Sequence, residues 1–165
     1  MSDRSVLLKR VHYQATYAER RPEVSSLLRN TAWDLADTLT LYHVRPEGSD
    51  HRPLTAVRLL HDGSGISGRF EVEDRYLRCV QTGFQSPVDR DSCVEFFVQP
   101  NPDKGHFNFE FGCGSALRCS YIVDPTRTPE GFRDFVMLSE DDGEQVIVRS
   151  SLPETVEPEI SGPVT

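Results

Sequence analysis

Cys93-Val94-Glu95-Phe96-Phe97-Val98 is followed, beyond Pro100 and Pro102, by His106-Phe107-Asn108-Phe109-Glu110-Phe111. The second hexapeptide alternates aromatic and polar residues at a period of two, the pattern of a strand with unlike faces. Successive side chains point to opposite sides of a strand, so Phe107, Phe109 and Phe111 share one face and Asn108 and Glu110 the other. The aromatic set must be core. In the first hexapeptide Val94, Phe96 and Val98 form one set, and Cys93, Glu95 and Phe97 the other. A hairpin through residues 100–105 pairs the two strands and sets Glu95 beside Asn108 and Glu110 on one polar face.

Working outward, residues 55–61 read as a strand, Asp62-Gly63-Ser64-Gly65 as a turn, and residues 66–72 as the returning strand. Further strands are expected at 117–123, 132–138 and 145–149, with the acidic turn Ser139-Glu140-Asp141-Asp142-Gly143-Glu144 between the last two. Six or seven short strands separated by breakers, with no βαβ alternation and no heptad, predict an all-β antiparallel sandwich, jelly-roll-like, with little helix. That core spans residues 31–149. Residues 31–41 begin as a helical turn and continue into a strand, with Trp33, Leu35 and Leu39 facing inward, and residues 45–53 are a polar loop. Residues 1–30 form an N-terminal segment with an edge strand at 6–13 and a short helix at 22–28. Residues 150–165, with three prolines, read as a loop or tail.

The chain of 165 residues has the size of one domain, and its nine Phe and five Tyr supply large burial per residue. Its 26 acidic against 18 basic residues give a net charge of −8. That balance repels phosphate backbones, so nucleic acid is not the expected partner. The start Met1-Ser2-Asp3-Arg4-Ser5 lacks the apolar run of a signal peptide, and no stretch approaches the ~20 apolar residues of a membrane span. A soluble, cytoplasmic chain is expected as written, or a secreted one if a leader has been removed. Cys79, Cys93, Cys113 and Cys119 lack any Cys-x-x-Cys pair and read as small buried hydrophobes, with one disulfide as the alternative. The five histidines are scattered without metal-ligand spacing.

On residues 66–73 the core parity is Ile66, Gly68, Phe70 and Val72, which leaves Arg69, Glu71 and Glu73 opposite. Arg58 and Arg118 have the parity to join the polar face on their own strands. The expected site is therefore Glu95, Asn108, Glu110, Arg69 and Arg118. Carboxylate, amide and guanidinium offer the complementary acceptors and donors that a vicinal diol uses. The same alternation also describes a solvated face of an antiparallel sheet. Glycosidase chemistry needs an acid and a base or nucleophile across a cleft, with one pKa raised. Arg neighbours would keep both carboxyls ionised, so no catalytic residue is assigned.

Thr55-Ala56-Val57-Arg58-Leu59-Leu60-His61-Asp62, Gly68-Arg69-Phe70-Glu71-Val72-Glu73-Asp74, Asp91-Ser92-Cys93-Val94-Glu95 and Phe107-Asn108-Phe109-Glu110-Phe111 together resemble carbohydrate-binding module family 9 and its relatives. The resemblance covers residues 30–125, and Asp91-Ser92-Cys93-Val94-Glu95 is its most specific part. It implies a jelly-roll-like sandwich that binds a saccharide, often near a polysaccharide chain end, with bound calcium in some members. It places the sugar-contacting carboxylate on Glu95 and polar contacts on Asn108 and Glu110. Family members also stack the sugar between aromatics, one of them just upstream of the Glu95 strand. Here Gln85-Ser86-Pro87-Val88-Asp89 holds no aromatic, and Phe84 is the nearest. A second aromatic belongs to a late strand, and the sequence reads as stopping at Thr165 before it. The expected function is a non-catalytic carbohydrate-binding module or a fragment of one. The alternative is a structural or protein-interaction sandwich without a small ligand.

Overall fold

Apolar runs broken by Gly, Pro and Asp clusters leave the chain to pair strands across short connections. In the computed structural model, which describes residues 12–24, 31–43, 49–129 and 131–164, this produces nine strands among the described residues. They are β1 (Thr16–Tyr17), β2 (Leu39–Leu41), β3 (Leu54–His61), β4 (Ile66–Cys79), β5 (Cys93–Val98), β6 (His106–Gly112), β7 (Leu117–Thr128), β8 (Gly131–Met137) and β9 (Val156–Val164). β5, β6, β7 and β8 follow one another as an antiparallel meander, and the other five strands make a second sheet. The protein is an all-β sandwich, as the alternation predicts.

β4 is the longest strand and changes partner along its length. Residues 66–73 pair with β3, whereas the stretch from Asp74 to Cys79 pairs with β9. The other edge of β3 is shared by β1, which runs parallel at Leu60, and β2, which runs antiparallel at Val57. Leu60 is fully buried with Trp33, Ala36 and Ala18. At the other end of this sheet Leu77, Cys79 and Val156 form a second buried cluster, joined by Cys113, Leu152 and Val164. On the meander, Phe107, Phe109 and Phe111 line up with centroid spacings of 6.0 and 6.4 Å, and Tyr121 packs 5.0 Å from Phe107.

Backbone and polar bonds tie the two sheets where β4 ends and β5 begins. The Asp91 side chain is 1% exposed. Its Oδ2 accepts from the backbone N–H groups of Val80 and Gln81, both at 2.6 Å, and its Oδ1 from Arg78 Nη1 at 3.2 Å. Ser92 N–H donates to the Arg78 carbonyl at 3.0 Å, and Ser92 Oγ accepts from Arg78 N–H at 3.3 Å. Cys113 N–H then donates to the Ser92 carbonyl at 2.9 Å, which brings in the turn after β6. A buried carboxylate with three donors is satisfied in a way that a solvated one need not be.

Several expectations need correction. Leu35 is 62% exposed, because the 3-10 turn Thr31–Leu35 directs Trp33 inward instead. Residues 145–149 are not a strand: Ser139 caps one helical turn, α1 (Glu140–Gly143), through a capping box with Asp142, and irregular chain follows. Residues 150–165, read as a loop or tail, contain β9. Pro158 and Pro163 argue against a central strand, but β9 lies at a sheet edge, where a missing N–H costs little. The returning strand after Gly65 runs on to Cys79 instead of ending at Val72. Most of the edge strand at 6–13 and of the helix at 22–28, and residues 45–48 of the polar loop, lie outside the described residues. All four cysteines are free thiols, Cys79 and Cys119 buried and the other two half-buried.

Replacing Asp91 by Ala strands two backbone N–H groups in a sealed region, where each unmet donor costs ~1–3 kcal/mol. Chemical denaturation of Asp91→Ala is expected to show a loss of about 3 kcal/mol, and Asp91→Asn, whose amide oxygen can still accept from both N–H groups, a smaller loss. A variant within experimental error of the parent would show that the Asp91 bonds do not hold the sheets together.

Candidate functional site

The hairpin places the three polar residues in the register that alternation predicts. Glu95 lies directly opposite Glu110, and Phe97 opposite Asn108. On the other side Glu110 faces Arg118, and Asn108 faces Ser120. Met137 and Phe135 continue the same face onto β8 as partners of Ser120 and Ile122. Glu95, Asn108, Glu110 and Arg118 therefore share one face of the meander.

Arg69 does not join them. It sits on the five-stranded sheet directly opposite Arg58, and Glu71 neutralises both, its two oxygens each 2.8 Å from one guanidinium. Parity tells which side of its own strand a residue occupies, and Arg69 has the expected parity. It does not tell which sheet the strand enters.

The face is closed at one end by the segment that precedes β5. Val88 lies in a short 3-10 turn, Val88–Arg90, and is fully buried over Gly112, where a Cβ would come within 3.3 Å of its Cγ1. The adjacent Asp89 reaches Arg118, Oδ1 to Nη1 at 2.9 Å. Gln85 anchors the segment: its Nε2 donates to the carbonyls of Cys119 and Leu138, both at 2.9 Å, and its Oε1 accepts from Cys119 N–H at 3.0 Å. Phe84 packs under α1, so closely that a Cβ on Gly143 would meet its ring at 2.3 Å. The aromatic nearest the family's stacking position is thus part of the packing. Trp33 is likewise core, on the other sheet.

Within the face, Asn108 is 3% exposed and its Nδ2 donates to Glu110 Oε1 at 2.9 Å. Its Oδ1 and the second Glu110 oxygen, Oε2, are sealed from solvent without a hydrogen-bond donor. Arg118 Nη1 stands 3.8 Å from Oε2, an ion-pair distance too long for a hydrogen bond. Burial pushes the Glu110 carboxyl above its ordinary range; Arg118 and the Asn108 amide oppose the shift, Glu95 and Asp89 reinforce it, and burial wins. The neighbouring Cys93 thiol is pushed up to about 11, first by burial and then by Glu95, Glu110, Asp89 and Asp91. Burial is the main cause at both groups, and the neighbouring carboxylates add to it.

Sequence reasoning assigned no site role to Asp89, Ser120 or Phe97. Ser120 shares parity with Arg118, and Phe97 with Glu95, so both were within reach. Asp89 arrives from irregular chain, where no period exists. Phe97 is 47% exposed and its ring packs 5.8 Å from that of His106, which leaves an aromatic surface beside Asn108. Among the described residues no three His, Cys, Asp or Glu side chains converge as a metal cage, so the calcium implied for some family members finds no fitting donor set there. Asp142 of the acidic turn is committed to Ser139.

The family model of carbohydrate-binding family 9 matches residues 27–137, a stretch that contains the Asp91 clamp and the whole polar face. The chain belongs to that family. A solved structure from Bacteroides uniformis, provisionally assigned as a carbohydrate-binding protein, is similar to it with a TM-score of 0.75 and 24% identity. The likeness covers 91% of this family 9 chain and 66% of that one, and at this identity it speaks for the fold. No curated protein matches. No helix among the described residues is long and apolar enough to cross a membrane.

Because the folded state favours protonated Glu110, its contribution to stability is full below the ordinary value of 4.5 and is lost as pH rises through the higher native one. Glu110→Gln replaces the stranded Oε2 by an NH2 donor and removes the buried charge. Thermal melts from about pH 4 to 8 are expected to show the variant gaining on the parent toward neutral pH, by about 1 kcal/mol, with the two converging in acid. Parallel pH profiles would contradict this account of Glu110.

Proposed function

We propose that this chain is a non-catalytic module that binds a saccharide on the face formed by Glu95, Asn108, Glu110 and Arg118. Membership of carbohydrate-binding family 9 supports saccharide binding in general. The observation that supports this face as the site is Asn108: a nearly inaccessible amide whose Oδ1 has no donor, beside a carboxyl in the same condition. Leaving a buried acceptor unmet costs ~1–3 kcal/mol, and sugar hydroxyls are the donors such a face lacks. Phe97 adds an apolar surface for a pyranose ring, which partly offsets the absence of aromatics in residues 85–89. A chain end, with its extra free hydroxyls, suits a face that Val88 and Asp89 close on one side.

The geometry favours binding over hydrolysis. Glu95 and Glu110 stand side by side on neighbouring strands of one sheet. A glycosidase pair must flank the bond it breaks, whereas two carboxyls on one wall approach the sugar from the same side. A second reading, docking of a partner protein, draws on Val123, Phe135 and Val136, which are exposed on β7 and β8.

Calorimetric titration with neutral oligosaccharides is expected to show binding that Glu95→Ala weakens at least about tenfold while the fold stays intact by circular dichroism. If no saccharide of any class binds, the reading fails. Turnover of a chromogenic glycoside, lost on replacing Glu95 or Glu110, would make the protein an enzyme instead.

A further inference from the structure

Resting on that reading, we propose that the preferred ligand is an amino sugar whose unsubstituted ammonium is received between Glu95 and Phe97. The face carries three carboxylates, Asp89, Glu95 and Glu110, and one guanidinium, Arg118, which Asp89 already holds at 2.9 Å and which stands 3.8 Å from Glu110. Among the described residues the exposed Glu95 side chain has no ion-pair or hydrogen-bond partner, although it sits directly opposite another acid. Like charges placed opposite one another on a sheet repel, so a cation arriving at Glu95 relieves a cost already present in the fold.

The hydrogen-bonding demand has the same sign. Asn108 spends its amide N–H on Glu110, and its Oδ1 and Glu110 Oε2 are left without a donor. With the two Glu95 oxygens, four acceptors on these three residues lack a donor. An ammonium brings three donors and a charge opposite to that of Glu95, whereas a hydroxyl brings one donor and no charge. Phe97 lies two residues along the same strand face, about 7 Å from Glu95, and half of its surface is exposed. A carboxylate beside an aromatic face is the pairing that attracts a compact cation, and His106 packed at 5.8 Å steadies that ring. Behind burial, which is the main cause, Glu95 and Asp89 add to the upward shifts of Glu110 and Cys93, as neighbouring negative charges do. Those charges disfavour uronic acids and sulfated sugars, and N-acetylation would remove the charge of the ammonium.

The test compares short oligomers of glucosamine, N-acetylglucosamine and glucose of equal length by calorimetry at low and high salt. The glucosamine oligomer is expected to bind about tenfold tighter than the other two and to lose that margin at about 0.5 M salt. Glu95→Gln, which keeps the size and one acceptor oxygen but removes the charge, is expected to reduce glucosamine binding to the neutral level while the protein melts no lower than the parent. Equal or tighter binding of a neutral oligomer overturns the amino-sugar inference and leaves saccharide binding standing. Failure of all three to bind overturns the amino-sugar inference, and the saccharide reading falls with it only when every other saccharide class also fails to bind. A folded Glu95→Gln protein that binds the glucosamine oligomer as the parent does also overturns the inference.

Discussion

The two sheets are held in relation to each other by the buried carboxylate of Asp91. It accepts from Val80 and Gln81 on the chain leaving β4 and from Arg78 within it, while Ser92 pairs with Arg78 and passes the connection to Cys113. These bonds fix where β5 starts. A strand has a side-chain period of two, so a one-residue slip at Ser92 would turn Glu95 into the aromatic face and Phe96 out of it. Asp91 and Ser92 thus act on the site without touching it: they set the register that makes Glu95 a surface group. Within Asp91-Ser92-Cys93-Val94-Glu95 the parts divide physically: the first two residues hold the backbone, and the last presents a carboxylate on the exposed face.

What the register then assembles is unfavourable on its own. Glu95 and Glu110 oppose each other, and Asn108 and Glu110 each bury an acceptor without a donor. Violations of local satisfaction that are concentrated on one face, in a chain that satisfies Asp91 and Gln85 so fully, mark the place where something other than stability governs the residues. Arg118 does not remove the problem, since Asp89 draws its guanidinium to 2.9 Å and leaves Glu110 at 3.8 Å.

The sandwich and the centre of the polar face were legible because they depend on local pairing. A hairpin joins β5 to β6 and a tight turn joins β6 to β7, so alternation within each strand carries directly across the sheet to Arg118. Arg69 has the matching parity but sits on β4, whose place depends on β3 and on the distant β9. No period within residues 66–73 encodes which sheet they enter, and there Arg69 serves to neutralise Glu71 together with Arg58. β9 was obscured for a different reason: Pro158 and Pro163 are breakers in a central strand and tolerable on an edge, and edge position is a tertiary property. Residues 145–149 failed as a strand because α1, closed by its capping box, occupies the turn that would have returned the chain.

The segment before β5 shows how a family site can change character. Its backbone is committed to the scaffold, with Gln85 in a left-handed conformation at φ 61° so that its amide can bracket Cys119 and Leu138. Val88 fills the space that Gly112 leaves. The residue in that turn facing the site is then Asp89, where the resemblance implies an aromatic nearby. An acid in this place binds Arg118 instead of a sugar ring, and in doing so withdraws the positive charge from Glu110 and Glu95. The turn before β5 therefore adds a carboxylate and no aromatic ring to the edge of this face, and the carboxylate is the one that holds Arg118.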